Sequence, residues 1–532
     1  MTGTAMNPGL GLFKGIELPD DLKHVIGIED LTRRQTQLIV EGAAEVARRV
    51  RGGYEWWDDP SREQNKVTTL SAEGSTRTVG SFDRAGEMLR WNHRVVSLGD
   101  TSMAKKRETW IHSARTWATQ GATVLAMRTT AEGPQKLIAE NFDRLGIKTS
   151  IINMGDGWAR HPTQALLDLA TILSKLDRID GIKIGFLGDA LRGRTIHSLL
   201  DALSLRDDIS VVCVSPENLK PPKHYQRMFK SFEVTEDLQA LADCDVVYVL
   251  RTQQERPLES GEPIDQGYQK FRITAEVLRT LKPNVIILHA QPVDGVELEI
   301  DYEIEDDPRV VMWEQNESGI YTRMCLLEMC RRNRGLMNYH KPVWTTQVEV
   351  IENISASEAA ARQASKDTDR FQKLEDSGAV VDHLPPNTGH LVVEMLREFG
   401  EIDPNMKIDV SDNLSSRTVP GKLKAKVILR KHQLSKQAMG LVAGLCPSVT
   451  ISMIQDGTFQ KMRVTQTPRT IVGIGKCPHN KSCVTVVIDS QSGRIKEPGI
   501  KSRFTLTEEE GGETMAMCEY CRRESPLSKI IG

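Results

Sequence analysis

The chain of 532 residues contains no run approaching 18 apolar residues and no basic N-terminal segment followed by a long apolar one. We therefore expect neither export nor membrane insertion. Aromatic residues supply only 5% of the composition, and Lys+Arg 69 against Asp+Glu 72 leaves a formal net charge of -3. That balance excludes a nucleic-acid binder held by bulk charge and stacking. Nine cysteines, an odd number, do not make a disulfide framework. Five of them (Cys213, Cys244, Cys325, Cys330 and Cys446) are scattered among apolar neighbours, and four are clustered near the end. This layout fits a reducing compartment, with the cytoplasm as default, and a metal site. The length exceeds what one core organises, so two to four domains are expected.

Against these absences, one stretch stands out. Val67 to Ala72 reads as a strand, and Gly74 follows before a periodic segment running to Trp91. Ser75, Thr76, Arg77 and Thr78 then fall at a helix N-terminus, where unpaired backbone N–H groups, hydroxyls and a guanidinium favour an anion. A plain hydroxyl cap with a solvated Arg is the alternative these residues leave open. Further on, a buried strand over 122–127 delivers Arg128 at its end, a usual place for a ligand contact in an open α/β sheet. The strand 147–153 leads into the turn Gly155-Asp156-Gly157, and a helix is predicted over 162–176. His161 and Gln164, three apart at its start, can polarise a carbonyl without a metal. Buried strands are predicted at 183–189, 211–214, 247–250 and 284–288. The strand–turn–helix at 183–199 lacks Gly-x-Gly-x-x-Gly and alone hints only weakly at a nucleotide fold. Asp100 to Glu108 reads as a basic, solvated loop, and 109–120 as a helix whose Trp110 and Trp117 pack in the core.

Ser75-Thr76-Arg77-Thr78, His161-Pro162-Thr163-Gln164, Gly193-Arg194-Thr195-Ile196-His197-Ser198 and Arg251-Thr252-Gln253-Gln254-Glu255-Arg256 together resemble the aspartate and ornithine carbamoyltransferases. The resemblance implies that Ser75, Thr76, Arg77, Thr78, Arg128, His161 and Gln164 bind carbamoyl phosphate. It also implies that Arg194, Arg251 and Gln253 hold the two carboxylates of aspartate, which favours aspartate over ornithine. Ser102 and Lys106 map to residues that enter a neighbouring subunit's site, implying a trimer or a multiple of it, and Glu73 and Arg256 map to an interdomain bridge. The chain departs from the family at Thr129-Thr130, where many members carry His-Pro. It departs again at His289-Ala290-Gln291-Pro292-Val293, where His-Pro-Leu-Pro-Arg is usual. The resemblance implies that backbone carbonyls, here those of Ala290 and Gln291, make the contacts at this place, and Gln291-Pro292 can be cis.

The second half resembles the regulatory chain of aspartate carbamoyltransferase. Gly378 to Pro385 matches its start, with a helix over 389–399 and strands over 406–411 and 422–431. Asp382, His383 and Lys461 map to contacts of a nucleotide effector such as CTP, UTP or ATP. Thr345 to Asp369, rich in Glu, Ala, Ser and Lys, reads as a linker, partly helical over 355–365. Cys477 and Cys483, followed by Cys518 and Cys521, provide four thiolates on two turns, the donor set of one closed structural Zn²⁺ site. His479 is a competing donor of lower rank.

The expected architecture is α/β, with two parallel-sheet domains, then an α+β nucleotide-binding domain and a small β zinc domain. The expected boundaries are 1–160 for carbamoyl phosphate, with a return helix at 319–340, and 161–318 for aspartate. A linker follows at 341–370, the regulatory domain at 371–466 and the zinc domain at 467–532. The implied reaction carries the carbamoyl group from carbamoyl phosphate to the α-amine of L-aspartate in pyrimidine biosynthesis, without nucleic-acid or membrane partners. A different amine acceptor, or a catalytically silent nucleotide-sensing assembly protein, are the alternatives.

Overall fold

The computed structural model describes residues 11–53, 64–72, 76–98, 106, 108–253, 270–295, 298–336, 347–355, 357–358, 377–403, 405–415, 423–446, 448–455, 458–466, 469–473, 477, 482–486, 500–508 and 514–531. It falls into two compact units: Met1–Tyr339 with Ile488–Glu497, and His340–Val487 with Pro498–Gly532.

The first unit carries two parallel sheets. Strands β1 (Lys66–Ser71), β2 (Asn92–Ser97), β3 (Val124–Thr129) and β4 (Ser150–Asp156) are ordered β2-β1-β3-β4. All pair in parallel. The inner strands read as apolar and small runs because helices cover both faces: Val67, Leu70, Val124, Leu125 and Ala126 are fully buried. The second sheet, β5 (Lys183–Gly188), β6 (Ser210–Val214), β7 (Ser231–Thr235), β8 (Val246–Leu250) and β9 (Ile286–His289), is ordered β7-β6-β5-β8-β9. It too is parallel throughout. In each sheet the strand order reverses once, between β1 and β3 and between β5 and β8. The loops leaving those strands splay apart there and open a crevice at their carboxyl ends.

Helix Pro162–Leu176 connects the sheets, with Pro162 at its first turn and every residue to Ile172 buried. Helix Arg33–Arg51 begins with a capping box in which Thr32 and Gln35 satisfy each other's backbone N–H. The return helix is Met312–Arg332, starting and ending earlier than the expected 319–340. It stops where Asn333 turns its side-chain amide to the carbonyls of Pro19 and Leu22. It packs against both Arg33–Arg51 and Thr76–Met88. Trp110 and Trp117 pack against the core behind the first sheet, as expected. The five scattered cysteines are buried free thiols. No helix among the described residues is long and apolar enough to cross a membrane.

The second unit has a six-stranded antiparallel sheet of β10 (Gln347–Ser355), β11 (Gly378–Leu384), β12 (Ile408–Ser415), β13 (Leu423–Arg430), β14 (Thr450–Gln455) and β15 (Thr458–Gln466), ordered β10-β15-β14-β11-β13-β12. Ala379, Val381, Val427, Leu429 and Ile451 form its buried face, with helices Gly389–Glu398 and Lys436–Leu445 packed against the sheet. Strand β10 corrects the linker reading. Gln347–Ser355 pairs antiparallel with β15 through Val348↔Val464 and Ile354↔Phe459. Its β-branched residues suit a strand, a signal masked by the Glu/Ala/Ser-rich stretch that follows. Of the helix expected over 355–365, only Ser357 and Glu358 are described as helical. A smaller antiparallel sheet, β16 (Thr470–Val472), β17 (Arg503–Glu508), β18 (Thr514–Cys518) and β19 (Glu524–Pro526), carries the last cysteines.

Candidate active site

A cleft of about 660 Å³ opens at the carboxyl ends of both parallel sheets. Thr76, Arg77, Thr78, Arg128, His161, Gln164, Arg194, Arg251, Gln253, Ala290 and Gln291 all line it. They reach the cleft from strand ends or from the starts of the helices that follow them. Arg128 is the penultimate residue of β3, Arg251 and Gln253 follow β8, and Ala290 and Gln291 follow β9. Helix Thr76–Met88 points its N-terminus, with its unpaired amides, at the same space. Glu73, Ser75, Ser102 and Arg256 lie outside the described residues. Lys106 is exposed and does not line this cleft.

Charge defines what the cleft can hold. Five guanidiniums line it (Arg77, Arg128, Arg194, Arg251 and Arg323), with Asp189 the one carboxylate among the lining residues. Asp189 is already paired to Arg192, at 2.8 Å to Nε and 2.6 Å to Nη2. The remaining positive charge suits two anionic substrates bound together, including a dianion at the helix N-terminus.

His161 is built to stay neutral. Burial and then the cations Arg194, Arg128 and Arg323 hold its pKa well below the ordinary 6.5. The Thr163 hydroxyl stands 3.4 Å from Nδ1 and the Thr78 hydroxyl 3.5 Å from Nε2. If Nδ1 accepts from Thr163, the proton sits on Nε2, which faces the Thr78 hydroxyl on the cleft wall. The backbone before it is braced by Asp156, which accepts from Gly133 N at 2.9 Å and Arg160 N at 3.0 Å. Strand β4 accordingly runs on to Asp156, three residues past the expected end. Burial raises the Asp156 carboxyl to about 7.

The structure adds residues that the sequence pattern does not reveal. Asp168, fully buried, accepts from Gln164 Nε2 at 3.0 Å, Gln315 Nε2 at 2.6 Å and Tyr248 Oη at 3.0 Å. Gln315 in turn accepts from His289 N at 2.9 Å. One carboxylate thus joins helix Pro162–Leu176, the return helix and β8 and, through Gln315, the end of β9. Burial lifts Asp168 to about 7, opposed by the donations from Gln315, Tyr248 and Gln164. Arg323 is also buried, over the Phe82 ring at 5.2 Å, and burial lowers its pKa to about 9, with Asp168 opposing. Only spacing to Gln164 (i, i+4) hints at Asp168 in the sequence.

Comparison with known proteins places this cleft. The family description "Aspartate/ornithine carbamoyltransferase, carbamoyl-P binding domain" matches residues 23–174. The companion Asp/Orn binding domain matches 180–330. The chain belongs to the aspartate/ornithine carbamoyltransferase family. The aspartate carbamoyltransferase catalytic subunit of Aliivibrio fischeri is 33% identical over 319 residues, covering 58% of this chain and 96% of that protein. The catalytic subunit of M. jannaschii aspartate transcarbamoylase aligns with a TM-score of 0.51 at 32% identity, covering 59% of this chain and all (100%) of that one. Aspartate transcarbamoylase from Trypanosoma cruzi, solved with N-(phosphonacetyl)-L-aspartic acid, aligns with a TM-score of 0.52 at 27% identity, over 58% of this chain and 96% of that one. The boundary between the two matched domains falls within the helix and loop that join the sheets, so the carbamoyltransferase cleft lies between the two family domains.

Beyond residue 330 the carbamoyltransferase chain carries two further constellations. In the six-stranded sheet Asp382 Oδ1 accepts from Lys424 Nζ at 2.8 Å, and His383 Nδ1 stands 3.0 Å from Thr450 Oγ1. Register places Ser452 beside both Val380 and Lys461, so Lys461 shares a sheet face with Asp382. Cys477, Cys483, Cys518 and Cys521 converge, all buried, with every sulfur within 4.8 Å of the others. Sγ–Sγ distances of 3.4 Å (Cys477–Cys521) and 3.7 Å (Cys483–Cys518) compare with ~3.8 Å between thiolates ~2.3 Å from a tetrahedral zinc. The four-cysteine group fits such an ion.

Proposed function

We propose that the chain is an aspartate carbamoyltransferase, forming N-carbamoyl-L-aspartate and phosphate from carbamoyl phosphate and L-aspartate. The observation that carries this reading is the convergence of the anion-cradle helix, neutral His161 and two separated guanidiniums, Arg194 and Arg251, on one cleft. Ser75, Thr76, Arg77, Thr78 and Arg128 hold the phosphate, and His161 and Gln164 meet the carbamoyl carbonyl. Arg194, Arg251 and Gln253 take the two carboxylates of aspartate, and the carbonyls of Ala290 and Gln291 orient its amine.

The reaction needs no covalent nucleophile. The α-amine nitrogen attacks the carbamoyl carbon, a C–N bond forms, and the C–O bond to phosphate breaks. The electron pair leaves with the phosphate, which also carries off the amine proton. His161, kept neutral, donates through Nε2–H to the oxyanion that develops, and the fixed guanidiniums stabilise the departing phosphate.

The second unit is the regulatory part fused to this catalytic part. Asp382, His383, Lys424 and Lys461 form a nucleotide-binding face for CTP, UTP or ATP, and the four cysteines hold a structural zinc that closes the terminal sheet. Ser102 and Lys106 act in a neighbouring subunit's cleft, which makes the enzyme a trimer or a multiple of it in the cytoplasm. Carbamoyl transfer from labelled carbamoyl phosphate tests the reading, with aspartate or ornithine as acceptor and with each nucleotide added in turn. Carbamoyl-aspartate formation shifted by a nucleotide is expected. Citrulline instead would reassign the acceptor, and activity indifferent to every nucleotide would remove the effector role.

A further inference from the structure

We propose that the Gln291 side chain is a positioning residue for Arg77, coupling the loop after β9 on the second sheet to the phosphate-cradle helix on the first. This rests on the reading of the cleft as a carbamoyl phosphate site and assigns Gln291 a role apart from its backbone carbonyl. Gln291 Oε1 accepts from Arg77 Nε at 2.9 Å, joining residues 214 positions apart in sequence. The loop end is itself held: Gln291 N donates to His289 Nδ1 at 2.9 Å, and His289 N donates to Gln315 Oε1 at 2.9 Å. Gln291 adopts φ +54, a left-handed backbone that a non-glycine residue occupies only where its surroundings determine it. The amide is therefore fixed from its backbone side before it meets Arg77.

Guanidinium geometry gives the contact its consequence. Engaging Nε on one edge sets the rotation of the planar fork and leaves the two Nη groups to present a bidentate edge to phosphate oxygens. The acceptor is also neutral. Arg77 has no carboxylate partner among the described residues, so its positive charge stays available to the anion. An aligned and uncompensated guanidinium favours binding of the dianion, and its alignment depends on the second sheet's loop being in place. Carbamoyl phosphate affinity is thereby tied to the approach of the two sheets across the cleft.

The test compares the full-length chain with Gln291→Leu and Gln291→Glu. Carbamoyl phosphate binding is measured by calorimetry without aspartate, alongside steady-state kinetics and thermal unfolding. Removing one hydrogen bond to a charged group predicts a rise of about 10- to 150-fold in both Kd and KM for carbamoyl phosphate in Gln291→Leu. In Gln291→Glu the carboxylate pairs with Arg77 and repels phosphate, so the loss is larger still, with unfolding midpoints near wild type in both. A purely structural loop residue would give no such order, and losses would follow the unfolding midpoint instead. Equal carbamoyl phosphate affinity in wild type and Gln291→Leu, or equal losses in the two variants, overturns the proposal. Absence of carbamoyl phosphate binding in the wild-type chain would overturn the site reading and this inference with it.

Discussion

Asp168→Asn separates positioning from stability at the point where four elements meet. The carboxylate is fully buried and accepts from Gln164, Gln315 and Tyr248. Asparagine keeps its shape but turns one acceptor into a donor, weakening hydrogen bonds that each contribute about 0.5–1.5 kcal/mol while the carboxyl is protonated. Against that loss stands a gain. Burial lifts Asp168 from the ordinary 3.8 to about 7, so folding disfavours the ionised form. The sign follows: between those values the folded chain binds more protons than the unfolded one, and stability falls as pH rises, by at most ~1.4 kcal/mol per pH unit. Asparagine abolishes this slope. Relative to wild type, the variant should therefore gain stability steadily from pH 5 to 7, followed by denaturant midpoints at three pH values. Activity should move the other way. With Gln164 unanchored, kcat is expected to fall about 10- to 100-fold at every pH, a loss of roughly 1.4–2.7 kcal/mol in transition-state stabilisation. Parallel pH–stability curves for the two proteins would refute the buried-charge argument. An unchanged kcat would refute the positioning argument.

Three further outcomes follow from geometry. Gly155→Ala places a Cβ at φ +123 and 3.0 Å from the Arg194 guanidinium carbon, so the KM for aspartate should rise about 10-fold or more, while carbamoyl phosphate Kd measured by calorimetry changes little. Cys518→Ser should lower zinc content, measured by elemental analysis, from one ion per chain toward none and loosen the terminal sheet, since three thiolates leave the closed site open. His161, whose pKa is held well below 6.5 by burial and its arginine neighbours, should give side-chain NMR shifts of the neutral ring down to about pH 5.5. Comparison with a His161→Gln variant assigns the signal, and titration near 6.5 would overturn the neutral ring that burial and the neighbouring arginines enforce.

What could be read from the sequence divides by distance along the chain. The anion-cradle helix, the arginines at strand ends and the cysteine pairs are local: a strand, a turn and a hydroxyl or thiol within a dozen residues name their own chemistry. The boundaries drifted where tertiary partners decide them. Asn333 ends the return helix by reaching Pro19 and Leu22, and β10 exists because β15 pairs with it. Asp168, Gln315, Arg323 and the Gln291 amide escaped sequence reading for the same reason at greater cost to function. In a helical pattern Asp168 looks like an ordinary polar position, and Gln315 lies 147 residues from it. Folding makes such residues neighbours and removes their water, after which a carboxylate near pH 7 or an uncompensated guanidinium becomes chemically consequential. The motif residues converge on one cleft. The long-range polar contacts orient several of those groups, so substitutions at Asp168 and at the Gln291 side chain should alter carbamoyl transfer while the anion-binding residues themselves stay unchanged.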